Sequence, residues 1–538
     1  MSKVMLIVIP GYNVPHAQFN LERLGLCYMA SSLRYAGHDV KLLDGIVDRL
    51  NWHEIIEKTI EYNPEVVGIS LMSHMDLTQV QNYVETLHKG LPQSHICIGG
   101  TFPSLNWRQV LTKFKYVESV VCGDGEQAIV KIVESLEAGT RLTDIPGVAT
   151  RHNGIPQITP AKTIRNIDSI LPPSRDELPA VLASGGPAAI LSSRGCYGRC
   201  KFCALQAINR KHGMGPARFR SPIGVVDEIQ SIHNEFHARK FYFLDENFIG
   251  SGLRGRQRAH EIADEIIRRK LDISFSLECR CSDVESATFH DLVKAGLQRV
   301  FLGVESIDAD ELEKLQKDQD PDVIQHAIDI LNGLGVHVEI GFMLFTPWST
   351  MESLSRKRQF LETFGSHATA SLGSYLSVPP GTELWHDLRL QGLLKGEWPL
   401  YRFEFQDRRS SILFGLIQRH MVHPWMGAIE RLMTHQWVQD RDWSIEHALR
   451  RTGDQALVFL NELMEWTAFE RFKIFDSLYE LVSSLSLPKE VEMPSKRALH
   501  RLEEISEQSN RCAEEVAALL KELERTRSGM KQVFPTAC

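Results

Sequence analysis

The sequence predicts an α/β protein: an N-terminal doubly wound parallel sheet, a second run of strand–helix units, and a helical C-terminal region. Two observations carry this. Short apolar runs rich in β-branched residues alternate with helical stretches over the first 150 residues, and the same rhythm returns between about 188 and 384. Beyond that point the strand signals stop and helical periodicity takes over. A chain of 538 residues with 43% hydrophobic and 24% charged side chains is ordinary for two or three globular domains.

In the first segment the strand candidates are Val4–Ile9, Val40–Leu43, Val66–Ile69, Ile96–Ile98 and Val117–Val121. Helical periodicity lies between them, in Leu24–Tyr35, Trp52–Glu61 and Leu77–His88. Such alternation implies βαβ units with helices on both faces of a parallel sheet. Ligands of these sheets bind outside the carboxyl ends of the strands. Small residues gather there: Pro10-Gly11, Ser70, Gly99-Gly100-Thr101 and Gly123-Asp124-Gly125-Glu126. A hairpin follows, with Gly147–His152 and Ile155–Ile158 flanking Asn153-Gly154, a dipeptide suited to a tight turn. Prolines 160, 172, 173, 179 and 187 then mark a linker.

The second segment opens on Ala188–Ser192, and directly after it comes Ser193-Arg194-Gly195-Cys196-Tyr197-Gly198-Arg199-Cys200-Lys201-Phe202-Cys203. A [4Fe–4S] cube is held by thiolates on closely spaced loop cysteines. Three protein thiolates leave one iron open to an outside ligand. Cysteine triplets also hold zinc, but no fourth ligand stands within a few residues, and His212 lies further along. The Cys-x3-Cys-x2-Cys spacing, with Phe202 before the last cysteine, resembles the radical S-adenosylmethionine superfamily. The resemblance implies a cluster on Cys196, Cys200 and Cys203. It also implies S-adenosylmethionine on the open iron, cleaved by one electron to a 5′-deoxyadenosyl radical.

Further strand candidates are Phe241–Asp245, Ser274–Glu278, Arg299–Gly303, Val338–Phe342 and Ser371–Ser377. Six units fit the partial, open (β/α)6 TIM-like barrel that the resemblance implies. Strand ends of such barrels build the site, and these offer Asp245-Glu246-Asn247, Glu278-Cys279-Arg280 and Gly303-Val304-Glu305-Ser306. Carboxylates receive an ammonium and hydroxyls, and an arginine forks onto a carboxylate. By resemblance Asp245, Glu246, Arg280 and Glu305 are expected to bind S-adenosylmethionine. Pro380-Gly381-Thr382-Glu383-Leu384 matches a turn after the sixth strand of the cobalamin-linked branch. Phe345-Thr346-Pro347-Trp348-Ser349-Thr350 departs from that branch's Gly-x-Pro-Gly-Glu-Thr.

Leu24-Gly25-Leu26, Tyr28-Met29-Ala30, Gly37-His38-Asp39-Val40 and Asp44, with the later strand ends, resemble the flavodoxin/Rossmann-like cobalamin-binding domain of that branch. The resemblance implies cobalamin over Ser70, Gly99, Gly100, Thr101, Gly123, Gly125 and Glu126. No Asp-x-His-x-x-Gly occurs here, so no histidine ligand to cobalt is expected. The domains expected are 1–145 (cobalamin type), 146–187 (hairpin and linker), 188–384 (partial barrel) and 385–538 (helical).

Cys27 and Cys97 lie in apolar patterns and read as core, Cys122 borders a strand end, and Cys279 and Cys281 bracket Arg280. The helical tail carries Trp398, Tyr401, Phe403, Phe405, His420, His423 and His435. Its 398–437 segment is expected to cap the barrel over the substrate. Residues 496–526 form an amphipathic helix.

A net charge of −8 without a basic block gives no case for nucleic acid. The N-terminal apolar run is too short for a signal sequence, no run has the length of a transmembrane helix, and ten cysteines are no disulfide density. A cytoplasmic enzyme is expected, served by a reductant such as flavodoxin or ferredoxin. The resemblance implies a cobalamin-dependent radical methyltransferase acting on an unreactive centre of a small-molecule biosynthetic intermediate. Ring formation or rearrangement is the alternative. A methylthiotransferase fits less well, since Cys27 lies in a helix pattern and the tail is helical. A cobalamin sensor would leave the cysteine triplet without purpose.

Overall fold

The computed structural model describes residues 1–9, 21–72, 77–215, 217–423, 425, 455–485 and 496–533. Pro10-Gly11 and His435 lie outside them. Two compact units emerge: one comprises Met1–Leu297, Leu315–Asp318 and Val378–Arg402, the other Gln298–Lys314, Gln319–Ser377 and Phe403–Cys538.

The first unit begins with strands β1 (Lys3–Val8), β2 (Asp39–Asp44), β3 (Val66–Ser70), β4 (His95–Gly99) and β5 (Ser119–Val121), all parallel in the order 2-1-3-4-5. The hairpin β6 (Val148–His152) and β7 (Ile155–Ile158) extends the sheet antiparallel. Its turn has positive φ at both Asn153 and Gly154, the backbone that a two-residue connection between twisted strands requires. Alternation along β1 divides the core. Met5 and Ile7 join one buried cluster with residues of α2 (Trp52–Tyr62), α3 (Leu77–Gly90) and α4 (Thr101–Lys113). Val4, Leu6 and Val8 join another with α1 (Leu24–Tyr35) and α5 (Glu126–Ala138). α2 starts on a capping box between Asn51 and Glu54. The expected doubly wound sheet is therefore present, with its reversal of strand order between β1 and β3.

Within the linker, α6 (Leu178–Ala183) is a short helix whose Pro179 sits in the first turn, where its missing N–H costs nothing. Next comes β8 (Ala188–Ile190), then the two-residue β9 (Ser193–Arg194), α7 (Ala204–His212) and the two-residue β10 (Arg218–Phe219). After α8 (Pro222–Phe236), β11 (Lys240–Phe243) lies parallel to both β8 and β12 (Ser274–Arg280), with α9 (Gly252–Arg268) as the crossover and α10 (Ser286–Lys294) following. This unit also holds α14 (Glu383–Leu390) and most of the hairpin β15 (Leu394–Glu397) and β16 (Leu400–Phe403).

In the second unit β13 (Leu297–Glu305) runs parallel to β14 (His337–Phe342), and α11 (Ala309–Lys314), α12 (Pro321–Gly333) and α13 (Met351–Glu362) belong with them. The expected sixth strand is reduced to an isolated parallel bridge, Phe345 to Tyr375. Gly365–Gly373 winds as a 3-10 helix instead, and the Ser374 hydroxyl takes the Leu344 N–H at 3.0 Å while donating to Ser371 O. A side chain thus occupies what a ladder neighbour would have filled. Helices α15 (Arg408–Ile417), α16 (Gln455–Ser484) and α17 (Lys496–Val533) complete the unit, joined by Cys512 and Gln508 on Glu470 and by Trp425 Nε1 on Ser509 Oγ at 3.0 Å.

Candidate functional site

The cysteine loop leaves the end of β8 and is built on a buried polar floor. Asp245, 1% exposed, accepts from the Ser192 N–H at 3.1 Å, the Ser192 hydroxyl at 2.8 Å and the Ser193 hydroxyl. Arg258 of α9 donates to Ser192 Oγ at 2.9 Å and to Phe248 O. This network fixes the backbone before Gly195, whose φ of +90° suits glycine. Gly195 N donates to Glu246 Oε2 at 3.1 Å. Unlike Asp245, Glu246 is exposed. Surrounding protein atoms, then Asp245, push its carboxyl above the ordinary range.

The three thiols lie within electrostatic reach of one another, since Cys200 raises both Cys196 and Cys203. Burial is the main cause of the upward push on Cys196, offset by the Gly198 N–H at 3.4 Å and by Arg280. Burial takes Cys203 up to about 11. None of the three is in a disulfide. Arg280 donates to Cys200 Sγ at 3.4 Å and to Lys317 O, with its guanidinium 5.5 Å from the centre of the Tyr197 ring. A Cβ on Gly198 would meet Arg280 Nη1 at 2.7 Å. Tyr197 is anchored on Asp283, which also accepts from Asn247 Nδ2 at 2.8 Å.

Metal binding requires thiols to lose their protons, and Arg280 supplies the positive charge that favours this. Among the described residues no three His, Cys, Asp or Glu side chains surround a single point closely enough to hold one ion. Three thiols on one short loop, within electrostatic reach of one another, suit a cluster that takes one protein thiolate on each of three irons. The donor set fits a [4Fe–4S] cluster with three protein ligands. His212 is elsewhere, bonded to Ser104 O at 2.8 Å.

At the other strand ends, Ser70, Gly99, Gly100 and Thr101 form the rim of β3 and β4, all partly exposed. Gly100 has φ +106°, and a Cβ there would stand 2.5 Å from Leu71 O. Gly123 (φ +86°) and Gly125 are packed by sulfur, with Met214 Sδ and Met29 Sδ each 2.8 Å from where a Cβ would be. Glu126 does not project freely. Its carboxylate pairs with Arg194, two residues before Cys196. Helix α4, which starts at the β4 end, is clamped by residues after the cysteine loop: Lys211 on Leu105 O and His212 on Ser104 O. Asn106, at a kink in α4, donates to Pro380 O at 3.4 Å and accepts from Trp398 Nε1 at 3.1 Å. Trp398 thus joins the first unit's core, where the sequence placed it over substrate.

In the second unit Glu305 sits at the β13 bulge with φ +66°, and its carbonyl accepts from Met343 N at 2.8 Å. The divergent Thr346–Ser349 loop is held on a buried base. Lys357 Nζ reaches Glu311 Oε2 at 2.5 Å, Ser306 Oγ donates to the same oxygen at 2.6 Å, and Thr346 Oγ1 donates to Oε1 at 2.5 Å. Phe405 packs on Phe345, Phe403 and Phe414, and His420 bonds Ser506 Oγ at 3.1 Å.

The B12 binding domain family matches residues 13–133, and the radical SAM superfamily matches residues 190–356. The chain is a cobalamin-type radical S-adenosylmethionine protein. It is 27% identical over 371 residues to the uncharacterized methyltransferase PH0819 of Pyrococcus horikoshii, covering 67% of this chain and 77% of the relative. It is 26% identical to an anaerobic magnesium-protoporphyrin IX monomethyl ester cyclase of Synechocystis, covering 65% and 68%. The fold matches the cobalamin-dependent S-adenosylmethionine radical enzyme OxsB with a TM-score of 0.72 at 18% identity, over 98% of this chain and 80% of that one. Two features of this radical S-adenosylmethionine site escaped sequence reasoning: Arg280 serves the cysteine loop, and Arg194 meets Asp124 and Glu126. An acidic pair at one strand end and an arginine beside the cysteine triplet were the visible signals.

Proposed function

We propose that the chain is a cobalamin-dependent radical S-adenosylmethionine methyltransferase acting on an unreactive centre of a small-molecule biosynthetic intermediate. The observation that carries the reading is the union, in one compact unit, of the B12-type sheet and the cysteine loop, with α4 clamped directly by the helix after that loop. When bound, a three-thiolate cluster and S-adenosylmethionine supply a hydrogen-abstracting radical, and cobalamin supplies a methyl carrier.

The protein's own residues hold and orient. Cys196, Cys200 and Cys203 ligate the cluster. Glu246, exposed beside that loop, receives the ammonium of S-adenosylmethionine, with Glu305 as the second carboxylate proposed for it. Asp245 and Arg280 serve the same ligand from behind, through the loop they hold. Ser70, Gly99, Gly100 and Thr101, with the backbone at Gly123 and Gly125, frame the cobalamin face, and Glu126 supports it through its partner arginine. No Asp-x-His-x-x-Gly motif in residues 1–145 offers cobalt a histidine. Working domain boundaries are 1–145, 146–187, 188–384 and 385–538. The electron comes from a cytoplasmic donor such as flavodoxin or ferredoxin. Among the described residues no helix is long and apolar enough to cross a membrane.

Anaerobic reconstitution tests this. The chain is expected to hold one cobalamin with about four irons and to release 5′-deoxyadenosine from S-adenosylmethionine. Cobalt without iron would replace the enzyme by a carrier, and iron without cobalt would remove methyl transfer by this route.

Ring formation is the second reading, favoured by the likeness to the Synechocystis cyclase, which reaches similar identity and coverage.

A further inference from the structure

We infer that Asp124, Glu126, Arg194 and Arg218 form a joint that sets the position of the cysteine loop against the ligand edge of the N-terminal sheet, with Arg194 as its positioning residue. The inference rests on the function proposed above.

Strands β9 and β10 pair Arg194 directly opposite Arg218. Two guanidinium groups facing each other across a short ladder repel unless anions lie between them. Asp124 is that anion. Its Oδ1 takes Arg194 Nη1 at 3.2 Å and Arg218 Nη2 at 3.3 Å, and its Oδ2 takes Arg218 Nη1 at 2.7 Å. Glu126 takes the other terminal nitrogen of Arg194. Arg218 also donates to Ile164 O, and Asp124 accepts from Ile164 N at 3.1 Å, so the linker is tied into the same knot. The Arg194 guanidinium lies 5.0 Å from the centre of the Tyr28 ring on α1.

The four side chains balance in charge and are nearly closed to water, at 15% and 12% exposure for the arginines and 6% for each acid. A solvated surface pair would be soft and of little worth. This group is directional, because a guanidinium fork fixes orientation as well as distance. Its seat begins at Gly123, whose φ of +86° favours glycine, and the sulfurs of Met214 and Met29 pack against Gly123 and Gly125. Only Gly195 separates Arg194 from Cys196. A shift of the β5 end is therefore carried into the first cysteine within two residues. Two cofactors that must meet at one substrate need their separation fixed in advance.

The test uses the full chain with its reconstituted cluster and added hydroxocobalamin, reduced anaerobically. Pulsed electron paramagnetic resonance then reads the magnetic coupling between Co(II) and the reduced cluster. The native chain is expected to show one resolved splitting. Arg194→Met is expected to lose it while keeping cobalt and iron content, Asp124→Asn to broaden it, and Arg194→Lys to restore part of it. An unchanged splitting in Arg194→Met overturns the joint and leaves the function standing. Loss of both cofactors by all three variants overturns positioning in favour of a folding role. A native chain that takes up no cobalamin overturns the proposed function and the joint with it.

Discussion

Arg280, expected to bind S-adenosylmethionine, lies against Cys200 Sγ, with its guanidinium 5.5 Å from the centre of the Tyr197 ring. Positive charge and hydrogen bonds at cluster sulfurs raise reduction potential. Arg280→Leu is therefore expected to lower the potential of the reconstituted cluster in a dye-mediated redox titration, and an equal or higher value would separate Arg280 from the cluster. Each of Cys196→Ala, Cys200→Ala and Cys203→Ala should abolish the cluster absorbance and all cleavage of S-adenosylmethionine. Full cleavage by any one variant would remove that residue from the ligand set. A third residue bears on stability. Glu177 is pushed up to about 8, by burial first and Asp44 second. Its folded form holds a proton that the unfolded chain releases above its ordinary 4.5. Stability from this group is thus full at low pH and falls by about 1.4 kcal/mol per unit as pH rises through that window. Glu177→Gln should flatten the fall in a series of urea melts between the two values; an unchanged slope would assign the pH dependence elsewhere.

At the scale of elements, Gly100 shows why a strand end is a poor place for any other residue. Its φ of +106° with ψ of −174° lies in a region open essentially to glycine, and Leu71 O blocks the Cβ position. Gly100→Ala is expected to cost about 1–3 kcal/mol from the backbone alone, read as a lower urea midpoint for the N-terminal transition, with weaker cobalamin retention. Retained stability would mean that the β3 and β4 ends give way cheaply. Elements with local signals were legible in the sequence: helix Leu24–Tyr35 appears with the expected bounds, and Asn153-Gly154 turns as expected. The sixth barrel strand was not, because in Ser371–Ser377 a serine hydroxyl competes with the ladder, a choice decided by Leu344 thirty residues away. The same holds within the site. The cysteines could be read from their spacing, whereas Asp124 finds Arg194 across 70 residues and Trp398 finds Asn106 across 292. Pairings over such distances leave no periodic trace.

For the whole molecule the open choice is the reaction, and stoichiometry decides it. Methyl transfer consumes two molecules of S-adenosylmethionine per product, one as methyl donor and one as radical source. S-adenosylhomocysteine and 5′-deoxyadenosine should then accumulate together in equal amounts. Ring formation needs only the radical and gives 5′-deoxyadenosine alone. The sheet edge proposed to frame cobalamin and the loop that carries the cysteines are cross-linked by α4 and by the Asp124–Arg194 pair, so cobalt and cluster would be held at one separation in either reaction. The measurement is anaerobic turnover with methyl-deuterated S-adenosylmethionine and the intermediate supplied by neighbouring biosynthetic steps, with product mass read beside both nucleosides. Product heavier by one deuterated methyl group, formed with matched nucleosides, is the expected result. Product without deuterium, with 5′-deoxyadenosine as the sole nucleoside, would transfer the chain to the ring-forming side of its relatives.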